Sequence, residues 1–409
     1  MRPDPLASDS NSHPADWAGT PAGASTPLDA VPPGAAPSTP ASAPAVPPPP
    51  PEPVAIPINW LVDHGSAPIR YRALVDLARV SPVPDRLHSL VYGYAPAVTL
   101  ALSQRPEGTW HNAMLAVPPA RSPGFEGVGT IVAYRRLLEY GWDRDAPPLF
   151  HARRVLFRLL AEDNDPSLLF ELSDKAKHDD DLVKRNRVLL REAAAAALAQ
   201  AGYESDPRLR GAAQRLLQRA AAHVRSPLAA DPWRTVSGKR TLAPGASPPS
   251  YFLLLMLAYM PLFRLEHASE MNDLLKYLTN GAGSPESLQA ANSQAAAQRY
   301  VIVGDPLADQ DAAHSDIAFV VAWLELAARL GFLKRHEPWA EVYSRLLAQC
   351  DESFVWRARR GGSGTRAGNP FVWPTFPLVP NATADDQAAD VTFRLGLIAR
   401  FSGRPLAFV

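Results

Sequence analysis

The sequence predicts an all-α protein, a series of helical hairpins behind a disordered N-terminal tail, and three observations predict it. From Ile58 onward apolar residues recur at three and four positions, while alternating β-branched runs are scarce. A single phrase returns along the chain: helix, Gly-aromatic break, acidic-proline turn, second helix. Residues 1–57, by contrast, are dominated by Pro, Ala and Ser and run into "PAVPPPPPEP".

The tail comes first. It has almost nothing large and apolar to bury, and proline denies it helical and sheet ladders. Its end is expected to take polyproline II character, as a spacer or as a docking segment for an aromatic-lined protein partner. Residues 58–409 are expected to form one domain. "APIRYRALVDLARVSPVPDRLHSLV" supplies a first helix pair. "VAYRRLLEYGWDRDAPPLFHARRVLFRLL" breaks at Gly141-Trp142, "AAAALAQAGYESDPRLRGAAQRLLQRA" at Gly202-Tyr203 and "VVAWLELAARLGFLKRHEPWAEVYSRLLAQ" at Gly331-Phe332. "FLLLMLAYMPLFRLEHASEMNDLLKYLT" is a weaker copy with Pro261 in place of the glycine, and "VTFRLGLIARFSGRP" is a truncated one.

In this unit Gly takes a left-handed cap, the next aromatic covers the last turn, and Asp followed by Pro starts the second helix. The first helix of each unit is apolar nearly all round, which predicts burial; the second is amphipathic with arginines. That asymmetry predicts two concentric layers, about six inner and six outer helices. They either close into a ring with a central funnel or form an open superhelix.

Composition bounds the partners. With 46% hydrophobic and 20% charged residues and zero formal net charge, the 409-residue chain shows no footprint for nucleic acid or anionic lipid. Cys350 is the only cysteine, which excludes an internal disulfide and a thiolate cluster. The longest apolar run, Tyr251 to Leu262, is too short for a transmembrane segment. The N-terminus lacks a basic region followed by an apolar core, so a cytoplasmic protein is expected.

Gln104-x-x-x-Gly108-x-Trp110, after "AVTLAL", resembles the QW motif of squalene cyclases and related terpenoid cyclases. There the glutamine and tryptophan fasten the end of one outer helix to its neighbour, so Gln104, Gly108 and Trp110 are expected to be structural. "WLVDHGSAPIRYRALVDLA", "GTW" and "FEGVGTIVAYRRLLEYGW" are similar to bacterial proteins of the prenyltransferase and squalene-oxidase repeat type, many without a known activity. The resemblance covers about Trp60 to Val409 and implies an α/α toroid.

In such toroids the N-terminal ends of inner helices face the cavity. His178, Asp179, Asp180 and Asp181 precede one inner helix, Asp309, Asp311, His314 and Asp316 another, and Asp385, Asp386 and Asp390 the last. Asp179, Asp181, His314 and Asp316 are the catalytic candidates; His178, Asp311 and Asp390 are cavity candidates. Each also reads as a cap or dipole partner. Arg357 and Arg360, in the loop "RARRGGSGTRAGNP", are candidate anion ligands, although the loop does not match a P-loop.

Three chemistries follow from the resemblance. Class II terpenoid cyclases use an Asp-x-Asp-Asp acid, and here His178 stands where the first aspartate would. Protein prenyltransferase β subunits bind zinc through Asp, Cys and His; His314 and Asp316 occupy a comparable place without a nearby cysteine. No cofactor is therefore expected; a divalent metal would need a further ligand such as His178 or Asp390. Related α/α barrels cleave sugars with paired carboxylates, for which Asp179 to Asp181 and Asp311 or Asp316 would serve. The leading expectation is a cavity that binds or transforms a small apolar, isoprenoid-like molecule. The alternatives are a non-catalytic scaffold for protein partners and a carbohydrate-active enzyme. An open funnel with convergent carboxylates favours the first, and a funnel plugged by side chains or by "GNPFVWPTFPLVP" favours the scaffold.

Overall fold

A computed structural model describes residues 52–119, 124–161, 180–280, 300–308, 316–358, 371–380 and 382–409. Among them the chain is mostly helical with little sheet. Regular structure starts ahead of the expected boundary at residue 57. Val54–Ile56 (β1) alternates buried, half-buried, buried, and pairs in parallel with Leu406–Phe408 (β4) near the chain's other end.

Helices α1 (Ile58–His64) and α2 (Ala67–Arg72) lead into a π-helical stretch, Ala73–Leu77. Next come α3 (Asp85–Tyr92), α4 (Ala95–Leu102), α5 (Thr130–Glu139), α6 (Pro147–Leu160), α7 (Asp180–Gln200) and α8 (Pro207–Val224). A short hairpin of Trp233–Val236 (β2) and Lys239–Leu242 (β3) interrupts them. Then follow α9 (Tyr251–Ala258), α10 (Pro261–Glu266), α11 (Ala268–Thr279), α12 (Ile317–Arg329), α13 (Glu337–Leu347) and α14 (Ala384–Phe401).

Burial separates the helices into the two kinds that the sequence predicts. Every residue of α9 is buried, all of α5 except Leu138, and an unbroken run from Ala388 to Ala399 in α14. Their partners bury one stripe each: Leu149, Ala152, Val155, Leu156 and Leu160 in α6, and Trp339, Val342, Tyr343 and Leu346 in α13. The stripe recurs at three and four residues because 3.6 residues make a turn. The buried helices neighbour one another in succession: α5 packs on α7, α7 on α9, α9 on α12 and α12 on α14. α14 in turn packs on α1, α2 and the π-helical stretch.

The breaks share one hydrogen-bond pattern. Trp142, Tyr203 and Phe332 donate their backbone N–H to the carbonyls of Leu137, Leu198 and Ala327, at 3.1, 3.1 and 2.8 Å. The preceding glycines, Gly141, Gly202 and Gly331, have φ of 90, 79 and 75°. This is the Schellman end, in which the left-handed residue lets two orphan carbonyls be satisfied. α14 ends the same way at Gly403, where Arg404 N–H reaches Ala399 O at 2.9 Å.

Gln104, Gly108 and Trp110 join α4 to α6. Gln104 Nε2 donates to Pro148 O at 2.8 Å and Gly108 O at 3.3 Å, while the fully buried Trp110 donates Nε1–H to Leu100 O at 2.7 Å. Gly108 sits at φ 84°, and a Cβ there would lie 2.8 Å from His151 O. No described helix is long and apolar enough to cross a membrane.

Two glycine substitutions separate conformational cost from close approach. Gly331 has nothing within 4 Å of an added Cβ, so Gly331→Ala is expected to cost about 1–2 kcal/mol, the left-handed penalty alone. Gly108→Ala adds a backbone clash and should cost clearly more in urea unfolding. Equal losses would show that the α4–α6 approach is not needed.

Candidate functional site

The buried helices carry charges that an apolar face cannot accept alone. Arg135, Arg136 and Glu139 in α5, Glu325 in α12, and Asp390 and Arg394 in α14 are all buried. A buried ion needs a partner and hydrogen bonds for its remaining valences. Here the partners come from other helices. Arg72 pairs with Asp76 at 2.8 Å and with Glu139. Glu139 also accepts from Arg394 at 2.8 Å and from Gln200 Nε2 at 2.7 Å. Arg394 reaches Glu325 at 3.0 Å, and Glu325 accepts from Arg329 at 2.9 Å. Asp76, Arg72, Glu139, Arg394, Glu325 and Arg329 therefore form one continuous chain of alternating charge. It ties α2, α5, α12 and α14 together, with α7 attached through Gln200. Arg329 also lies 4.5 Å over the Tyr259 ring, just past α9.

One flank of this chain is closed by residues 371–380. Irregular backbone inside a protein needs polar partners, and the arginines supply them. Arg136 donates to Trp373 O at 2.8 Å and to Pro377 O, and Arg394 donates to Thr375 O at 2.6 Å. Leu378 N–H donates to Asp390 at 2.8 Å. Phe371 packs edge-on to Tyr251 at 5.2 Å and Tyr300 at 5.3 Å. The described part of "GNPFVWPTFPLVP" thus fills interior space.

The electrostatics follow from the pairing. Burial pushes the Glu139 carboxyl up, but the Arg72 and Arg394 charges outweigh it and hold it down at about 2. Burial likewise opposes, and Arg394 and Arg329 enforce, a lowered Glu325. Both stay ionised and too weakly basic for proton transfer near neutrality. Asp390 differs: burial raises it to about 6 despite Arg394 and the Leu378 N–H. Glu192, buried in α7 beside Ser250, is raised by burial to about 7.

The other end of the buried helices is open. A basin of about 440 Å³ is lined by the C-terminal residues Glu139, Gln200, Arg329, Arg400 and Phe401, with Tyr259 and the Gly141–Arg144 turn. Tyr71, Arg72, Val75, Asp76 and His88 form its other wall. Helix C-termini carry partial negative charge, which favours arginine there.

Of the residues singled out from sequence, those the structure describes are engaged locally. His178, Asp179, Asp311, His314, Arg360 and residues 1–51 of the proline-rich tail lie outside the described residues, as does the side chain of Asp181, which falls in the first turn of α7. Asp316 is the N-cap of α12, its Oδ1 accepting from Phe319 N–H at 3.4 Å. Asp390 lies within α14 rather than ahead of it, and its carboxylate is engaged by Leu378 and Arg394. Arg357, expected as an anion ligand, gives its charge to Asp351 at 3.2 Å and Asp385 at 2.6 Å. Asp386 forms a capping box with Thr383. Burial pushes the Cys350 thiol up to about 11. No described cluster of three or more His, Cys, Asp or Glu residues has the arrangement of a metal site.

Sequence reasoning placed chemistry ahead of the helices and passed over the charges inside them. The signal was present in "YRRLLE", "LELAAR" and "DVTFRL", each with opposite charges one turn apart in a helix expected to be buried.

Two stability experiments test this electrostatic picture. Arg394→Met removes the cation shared by Glu139 and Glu325, leaving each buried carboxylate with a single arginine, and is expected to cost about 3–5 kcal/mol in chemical denaturation. For Glu192 the folded value is raised, so its contribution is complete below 4.5 and lost as pH rises through about 7. Glu192→Gln should therefore be more stable than wild type at pH 8, on the order of 3 kcal/mol, and match it near pH 4. A constant difference between the two across that range would contradict the assignment.

No protein-family model, curated protein or solved structure matches this chain.

Proposed function

We propose that the chain is an α/α toroid of the squalene cyclase and prenyltransferase type that works as a small-molecule-binding protein rather than as a cyclase. The succession of buried neighbours from α5 through α7, α9, α12 and α14 to α2 supports a closed inner layer. So does the Arg72–Glu139 pair, which connects its last member, α2, back to its first, α5. The amphipathic helices α6, α8, α11 and α13 would form the outer layer.

One observation carries the functional reading: among the described residues, an open basin at the helix C-termini is walled by the ion chain itself. An isoprenoid chain needs an apolar tunnel, whereas Asp76, Arg72, Glu139 and Arg329 of the ion chain line this basin. The basin at the helix C-termini has the size of a ligand site and a wall of convergent polar groups. Its acidic residue nearest the interior, Glu139, is held by two arginines and by Gln200, which suits binding better than proton transfer.

The test is a thermal-shift screen with small polar metabolites and with squalene and farnesol, repeated on Val75→Trp, in which an indole fills the basin. Polar compounds are expected to raise the midpoint of the wild type and to lose the effect in the variant. Conversion of squalene or farnesol, or protection by them that survives Val75→Trp, would overturn the reading.

A further inference from the structure

Pairing the charges around the basin leaves one donor over. Arg72 is engaged by Asp76 and Glu139, and Arg329 by Glu325. Arg144 donates to Gly202 O at 2.9 Å and lies 4.8 Å over the Tyr203 ring. Arg400 is different: its Nη1 is buried and has no hydrogen-bond acceptor among the described residues. A buried N–H of a charged group without an acceptor is costly, and native structures rarely leave one so.

The surroundings sharpen the imbalance. Burial first, and then the charges of Arg79 and Arg329, lower the proton affinity of Arg400, with Asp76 opposing them. Asp76 is already bonded to Arg72. The negative ends of the helices explain why a cation stands in the last turn of α14. They do not provide an acceptor for Nη1. On the acid side nothing comparable is left open: Glu139 accepts from three donors, and Asp143 accepts from Asp145 N–H at 2.8 Å. The unfilled valence at the basin is a donor, so the ligand that completes it is an acceptor.

Resting on the ligand-binding reading above, we propose that the basin takes a small anion, a carboxylate or a phosphate, held by the Arg400 guanidinium with Arg329 beside it. A planar guanidinium grips either group through two parallel hydrogen bonds. No bond is made or broken; the role is recognition.

The experiment uses the full chain at fixed ionic strength, titrated with citrate and separately with inorganic phosphate, followed by calorimetry and thermal midpoint. One of the two is expected to bind and to raise the midpoint, and the arm that responds identifies the group. Arg400→Gln should weaken that binding at least tenfold, with helical circular dichroism unchanged. Arg400→Lys, which keeps the charge but not the fork, should fall between. Anion binding as tight in Arg400→Gln as in the wild type would overturn the proposal. So would failure of both anions while a neutral or cationic compound binds in a manner that Val75→Trp abolishes; the ligand-binding reading would then stand without its anion. If nothing binds in a manner sensitive to Val75→Trp, both fall.

Discussion

The interaction on which this structure depends is the alternating chain from Asp76 through Arg72, Glu139, Arg394 and Glu325 to Arg329. Its ions are costly to dehydrate, and replacing such a network with well-packed apolar groups often leaves a protein no less stable. Its value lies in geometry. Leu on Leu tolerates a helix sliding by an ångström, whereas Glu139 reaches Arg72, Arg394 and Gln200 together only when three other elements stand at one height. The network therefore acts on register among helices that apolar packing alone leaves loosely specified.

The same arginines decide what the interior can hold. A loop inside a protein brings carbonyls that water can no longer serve, and Arg136 and Arg394 take those of Trp373, Thr375 and Pro377. Once the loop is seated, its aromatic residues complete the apolar packing around Tyr251, Tyr300 and Phe319. The seating of this loop is thus a consequence of how the charges are satisfied.

Much of the fold was legible because its signals are local. The Gly-aromatic breaks encode helix ends, and the contrast between "YFLLLMLA" and the arginine-bearing stripes encodes depth. Asp206 caps α8 as its place before Pro207 predicts, accepting from Arg208 N–H at 2.9 Å. The strand pair β1–β4 was not legible, since it joins residues some 350 positions apart through three residues each. The site was less legible for a related reason. Carboxylates ahead of helices attract attention, yet Asp316 and Asp386 satisfy backbone donors in their own first turns. Arg394 and Glu139 are adjacent only after folding, and the sequence announces each merely as an anomaly within a buried helix.

The two ends of the buried helices consequently differ in kind. At the N-terminal ends, orphan N–H groups are met by side chains such as Asp316, Ser250 and Thr383, and residues 371–380 cover part of that surface. At the C-terminal ends the Schellman turns satisfy the carbonyls internally, so no loop is required to cover them and a basin remains. The macrodipoles put arginines at its edge, and the ion chain below has claimed the acids that might have neutralised them. Arg400 is the residue for which both constraints fall short: the dipole attracts its charge, but every nearby carboxylate is already bonded to another partner. Its open valence thus follows from the same pairing that fixes the fold, and Arg400 lines a basin that the described residues leave open.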